Sequence, residues 1–216
     1  MDDRTRIAAD QLARMRGMTG MYHRQFYADI NLTSIATTAL FIVGWGWVPQ
    51  AFLLIPIVTL GGAVRTAFDA SYLIFARWYA MYLEQYVNGK IGSRILVASE
   101  LEATYLFDLG TTKIVTIPLK GGLPWFGFVT LFYTVIGVAS FGFGLALGWG
   151  TLFTGPTALA VAYLVFVIGL TVTALAAGTW WFVGGEGERR LSTVLIERFG
   201  GDVTACPQPN ETLRRS

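Results

Sequence analysis

The residues able to do acid–base, nucleophilic or metal chemistry are few. His23 is the only histidine and Cys206 the only cysteine. One of each excludes, within a chain, a disulfide, a cysteine-based metal cluster and a multi-histidine metal site. Cys206 reads as an inert tail thiol. The carboxylates Glu84, Glu100, Glu102 and Asp108 share one polar stretch. Such groups hold Mg²⁺ for a phosphorylated substrate when they converge, but their spacing does not require it and reads as a solvated face. Gly89-Lys90-Ile91-Gly92-Ser93 and Gly184-Gly185-Glu186-Gly187 have neither phosphate-loop spacing nor a preceding strand. Asn31-Leu32-Thr33 and Asn210-Glu211-Thr212 match the glycosylation pattern but fall on the cytoplasmic side of the expected topology. The expectation is a non-enzyme with no catalytic, cofactor-binding or metal-ligating set.

The elements that would carry any chemistry are set by where charge is missing. The chain has 216 residues, 54% of them apolar and 14% charged. Residues 30–64 and 121–185 contain no Asp, Glu, Lys or Arg at all. Helices and strands of a soluble domain need a polar face, so these blocks belong in a bilayer. The first 30 residues are polar and lack the apolar core of a signal peptide, so the first span is expected to direct insertion. A net charge of +2, with acids matching the bases in every polar segment, gives no reason to invoke nucleic acid.

A spanning helix needs about 20 apolar residues. The second block holds two, placed at 124–148 and 156–183, with Pro124 and Pro156 in their first turns and a turn at Gly148-Trp149-Gly150 and Thr154-Gly155. The first block holds two short spans, 30–48 and 50–67. One span plus a re-entrant segment at a Pro56 kink is the alternative. The basic residues decide between them. They fall in residues 1–29, 65–120 and 186–216, and the turns near 49 and 150 have none. Two spans per block place all 16 on one side, which the positive-inside rule makes cytoplasmic. Trp45, Trp47 and Trp149 then lie at the outer ends, and Trp125, Trp180 and Trp181 at the inner ends, as interfacial indoles should.

The expected fold is therefore an all-α integral membrane protein. It has four transmembrane helices in two hairpins, both termini inside, and a small cytoplasmic helical module. The parts are an N-terminal helix within 1–29, hairpin 1 at 30–67, a cytoplasmic stem and loop at 68–122, hairpin 2 at 123–184, an interfacial amphipathic helix at 185–199 and a disordered tail at 200–216. Proton-coupled transport is disfavoured because no Asp, Glu, Lys, Arg or His lies in the blocks. Arg65 and Asp69, four residues apart, are expected to pair at the membrane edge.

Within the cytoplasmic part, Phe68, Tyr72, Phe75, Tyr79, Tyr82 and Tyr86 follow heptad spacing on a helix from 50 to 88, which Asn88-Gly89 should end. Ala8, Leu12, Met15, Thr19, Tyr22 and Phe26 follow the same spacing and offer a partner face on a helix over 4–27. The seam either packs on that face or forms a stem for a second copy. Ser99 with Glu102 suggests a capping box opening a helix at 100–108, and residues 112–118 a strand or extended lead-in. Leu191, Val194, Leu195 and Phe199 share one face of the last helix, with Arg189 and Arg190 beside anionic headgroups. Ser140, Gly144 and Gly148, and Gly169, Thr173 and Ala177, form small-residue rows expected to pack spans three and four together, with a subunit interface as the alternative.

The functional expectation is association, of the protein with itself or with a membrane-protein partner, in the inner membrane of a bacterium, with the lipid bilayer as its surroundings. An oligomeric channel or small-solute permeation protein is the alternative. An enzyme acting on lipids ranks third.

Overall fold

The computed structural model describes residues 3–199 apart from 108, 120 and 121, and residues 198 and 199 in backbone only. The expected tail at 200–216, with Cys206 and Asn210, lies outside the described residues, as does Asp108. The elements are α1 (Asp3–Gly46), a 3-10 turn (Pro49–Leu54), α2 (Ile55–Ile91), α3 (Ala98–Tyr105), β1 (Lys113–Ile114), β2 (Ile117–Pro118), α4 (Trp125–Leu152), α5 (Thr157–Gly178), a π-helical turn (Thr179–Val183) and α6 (Glu186–Phe199). Four helical runs are long and apolar enough to cross a membrane: Asp3–Gly46, Pro49–Ile91, Trp125–Leu152 and Thr157–Glu197.

Prolines and glycines punctuate these runs. Val48 is extended, as a residue before proline must be, and α1 ends there. Pro56 falls in the first turn of α2, where its missing N–H costs nothing, so it does not kink a span. The 3-10 turn lies just before it. Helix α2 does not stop at Asn88. It runs to Ile91, and Gly92 (φ +72°) supplies the left-handed residue that ends it. Helix α4 likewise runs through Gly148-Trp149-Gly150 to Leu152. The Thr151 hydroxyl donates to the Gly148 carbonyl and the Thr154 hydroxyl to the Thr151 carbonyl, and the chain turns in the later part of the expected stretch, around Thr154-Gly155.

The chain divides into two compact units. The first, an apolar unit, comprises Gln25–Phe68 and Val129–Gly178. Its hub is the 3-10 turn. Phe52 and Ile55 are buried, and the ring of Phe52 occupies the space a side chain at Gly44 would need. A Cβ on Gly144 would lie 2.8 Å from Ile55, and one on Gly148 2.6 Å from Leu53. Tyr163 donates its hydroxyl hydrogen to the Leu53 carbonyl at 2.8 Å. Gly144 and Gly148 thus seat α4 on the 3-10 turn and the start of α2, not on α5 as the small-residue rows suggested; Ser140 in the same row is half-buried. A Cβ on Gly169 would meet nothing, and Thr173 and Ala177 are exposed. The reason is that Leu53 and Ile55 fill the groove the glycines open. The outer faces of α4 and α5 expose Val138, Phe143, Leu159, Val165, Ile168 and Leu175, a surface suited to hydrocarbon and costly in water.

The second, a charged unit, comprises residues up to Arg24, Asp69–Phe128 and residues from Thr179 onward. Its axis is the second half of α2. From Asp69 to Val87 only Tyr72 is exposed, so this stretch is covered on nearly every side. Ala8, Leu12 and Met15 of α1 cluster with Ala80, Leu83, Tyr86 and Val87. Tyr22 stacks on Tyr72 with ring centres 5.1 Å apart. Of the aromatic seam, Tyr82 and Tyr86 are buried, Phe75 and Tyr79 half-buried, and Tyr72 exposed at its rim; Phe68 is exposed and belongs to the apolar unit. Strands β1 and β2 form a two-residue antiparallel hairpin, Lys113 opposite Pro118 and Ile114 opposite Ile117, turning through Val115 at φ +58°.

Candidate functional site

The charged unit is built around a polar stripe on the second half of α2. Arg77, Glu84 and Asn88 lie seven and four residues apart, which places them on one face of α2. Arg77 and Glu84 are each only 2% exposed. Asn88 receives the N–H groups of Ile95 and Leu96 on its side-chain oxygen and donates to the Leu96 carbonyl at 2.7 Å. Glu84 accepts from the Ser99 N–H and hydroxyl at 3.2 and 3.1 Å. Arg77 donates to the Phe107 carbonyl at 2.8 Å and to Glu102 at 3.2 Å, with its guanidinium 4.5 Å from the Phe107 ring centre. The loop after α2 is therefore laid along the stripe, and its backbone groups find partners on it.

Ser99 is thus no helix cap: α3 starts at Ala98 and Ser99 is engaged by Glu84. Arg16 of α1 closes the network by pairing with both Glu84 and Glu102. Two guanidiniums and two carboxylates make a neutral, internally paired set. The expectation of a solvated face is corrected for Glu84, while Glu100 is exposed and pairs with Arg94. A second clamp joins β1 to α6. Buried Lys113 pairs with Glu188, donates to the Thr111 carbonyl at 3.2 Å and lies 5.6 Å from the Phe107 ring centre. Glu188 also accepts the Gly110 N–H at 2.9 Å. Beside this clamp, Ser71, Lys113, Trp181 and Glu188 border a cavity of about 20 Å³, room for one water.

The Arg65–Asp69 pair does not form. Arg65 instead donates to Asp29 of α1 at 2.5 Å. Asp29 is buried and needs a countercharge, which Arg65 supplies. Asp69 is itself buried, in the charged unit. His23 is half-buried against the Phe126 ring (5.2 Å), and this burial lowers its pKa below the ordinary histidine value. Among the described residues no group of three or more His, Cys, Asp and Glu is placed to hold a metal ion.

Helix α3 is held unusually. It buries none of its residues and is fastened through Ser99 and Glu102. Leu101 and Tyr105, one turn apart, are 62% and 70% exposed, and Val97 and Ile95 extend the row. The polar side of this helix faces the protein and its apolar side faces out. Sequence reading missed both the stripe and this inversion. The available signal was the spacing of Arg77, Glu84 and Asn88 along α2.

No family model, no curated protein and no solved structure matches this chain.

Proposed function

We propose that this is a non-enzymatic multi-pass protein of a bacterial inner membrane, with both termini and the charged unit in the cytoplasm, acting by association of copies through the charged unit. The outward apolar row of Ile95, Val97, Leu101 and Tyr105 carries the reading. A helix that contributes nothing to its own core and presents its apolar side is placed to dock on another surface. The grouping of all 16 Lys and Arg residues in three segments supports the orientation. The pairing of Glu84 and Glu102 with Arg16 and Arg77 leaves little for an enzyme acting on lipids to use.

The test exploits the lone cysteine. With Cys206→Ser as background, Leu101→Cys or Tyr105→Cys in membranes should give a disulfide-linked dimer on oxidation, and Glu100→Cys, exposed on another side of α3, markedly less. The full chain in nanodiscs should show a defined oligomeric mass that Leu101→Glu abolishes. A strictly monomeric mass with no cross-link at either position would refute self-association.

One observation favours permeation as a second reading. Asp29, Thr33 and Thr37 lie one turn apart on α1, and the buried Thr37 hydroxyl has no hydrogen-bond partner among the described residues. Flux of ions or small solutes in liposomes that Thr37→Val abolishes would support it, and no flux for any tested solute would remove it.

A further inference from the structure

The first turn of α6 carries a cationic pair set over an acid. Glu186 is buried, with its side chain 11% exposed, and it pairs with both Arg189 and Arg190, whose side chains are 70% and 62% exposed. The triad has a net charge of +1, with the acid inside and both guanidiniums outside. Arg190 uses Nε toward Glu186 and its guanidinium lies 5.5 Å from the ring centre of Trp180, itself 54% exposed. The two terminal nitrogens of Arg190 and the Nε and Nη1 of Arg189 have no partner among the described residues.

Length fixes the depth of this group in a bilayer. Helix α5 has 22 residues, so as a span it covers roughly 33 Å, close to the hydrocarbon thickness. Trp180 comes two residues after its end, which puts the indole at headgroup level. Arg190 stacks on that indole and lies in the same layer. The π-helical turn and the glycines after it make the turn possible. The Gly184 N–H bonds back to the Thr179 carbonyl, a Cβ on Gly184 would lie 2.6 Å from the Trp180 carbonyl, and Gly185 has φ +65°.

We infer that Arg189, Arg190 and Trp180 form a binding site for the phosphate of an anionic phospholipid headgroup, with Glu186 positioning the two guanidiniums. Paired guanidiniums suit a phosphate's several acceptor oxygens, and the indole suits the boundary between headgroup and acyl chain. The inference rests on α5 being a span but not on self-association.

The full-length protein is reconstituted in nanodiscs of phosphatidylcholine with 20% phosphatidylglycerol, extracted in mild detergent, and its retained lipid counted per chain by native mass spectrometry. The wild type should retain phosphatidylglycerol several-fold over its share of the mixture. Arg189→Gln with Arg190→Gln should lose that enrichment, and Glu186→Gln, which releases the guanidiniums that Glu186 positions, should lower it. Arg94→Gln with Lys90→Gln, exposed cations elsewhere in the charged unit, should leave it unchanged. Near-ultraviolet circular dichroism of each variant checks the fold. The inference fails if the double arginine variant folds and keeps the enrichment, or if the control pair loses it equally, which would mean diffuse charge. It also fails if 10 mM inorganic phosphate displaces the lipid, which would mean a general anion site. Cross-linking through Leu101→Cys is an independent readout, so loss of one proposal leaves the other standing.

Discussion

At the residue scale, the distinction that matters is between charges that are buried and charges that are not. Glu84 is nearly sealed and holds Arg16 and Ser99. Replacing it by Gln leaves Arg16 without one of its countercharges and should cost about 3 kcal/mol, read as a fall in the detergent melting temperature. Glu100→Gln breaks only the exposed pair with Arg94 and should cost less than about 1 kcal/mol. Val115 is a β-branched residue in a left-handed conformation. Val115→Gly removes that conflict and should stabilise by about 1 kcal/mol, an unusual direction for a substitution to glycine. His23 gives a pH signature. Its pKa in the folded protein is below the unfolded value of about 6.5, so the unfolded chain binds the proton more readily. Stability is full above pH 6.5 and falls as the pH drops below it, levelling off beneath the folded pKa. The difference in melting temperature between pH 7.5 and 5.5 should shrink in His23→Gln.

At the element scale, close contact through glycine organises the apolar unit. Gly144 and Gly148 let α4 lie against Leu53 and Ile55. Gly144→Ala forces a Cβ to within 2.8 Å of the Ile55 Cβ, and should destabilise by about 1–3 kcal/mol. Gly169→Ala meets no neighbour and should be neutral or slightly stabilising in the monomer. If the two substitutions behaved alike, the seating of α4 on the 3-10 turn would be wrong. The rows of small residues were legible as places of close approach. Which partner they approach was not, because spacing along one helix says nothing of what fills the groove beside it.

At the scale of the whole molecule, contacts divide the chain into an apolar unit without a charge between Ile30 and Val64 or within its α4 and α5 segments, and a unit that pairs Arg16 and Arg77 with Glu84 and Glu102, and Lys113 with Glu188, in its interior. The exposed tryptophans Trp45, Trp47, Trp125, Trp149 and Trp180 all sit at or near the ends of long apolar helices, where interfacial rings belong. Cysteines introduced singly at Val48 and at Lys90 in a Cys206→Ser background test the proposed orientation. A membrane-impermeant maleimide added outside spheroplasts should label Val48→Cys and not Lys90→Cys, and the reverse pattern would invert the topology.

The sequence by itself determined that four helices can cross a membrane and that the charges fall into three segments, because a hydrocarbon solvent excludes charge locally and that exclusion is written residue by residue. It also set the heptad stripe from Ala8 to Phe26, since a helix's own periodicity fixes which residues share a face. The tertiary structure alone decided the partners. Arg65 reaches back 36 residues to Asp29 instead of four forward to Asp69, Glu84 recruits Ser99 away from capping, and α3 turns its apolar side outward. Each outcome depends on which distant group needs a countercharge or a hydrogen bond once buried, and that demand exists only after the helices have come together.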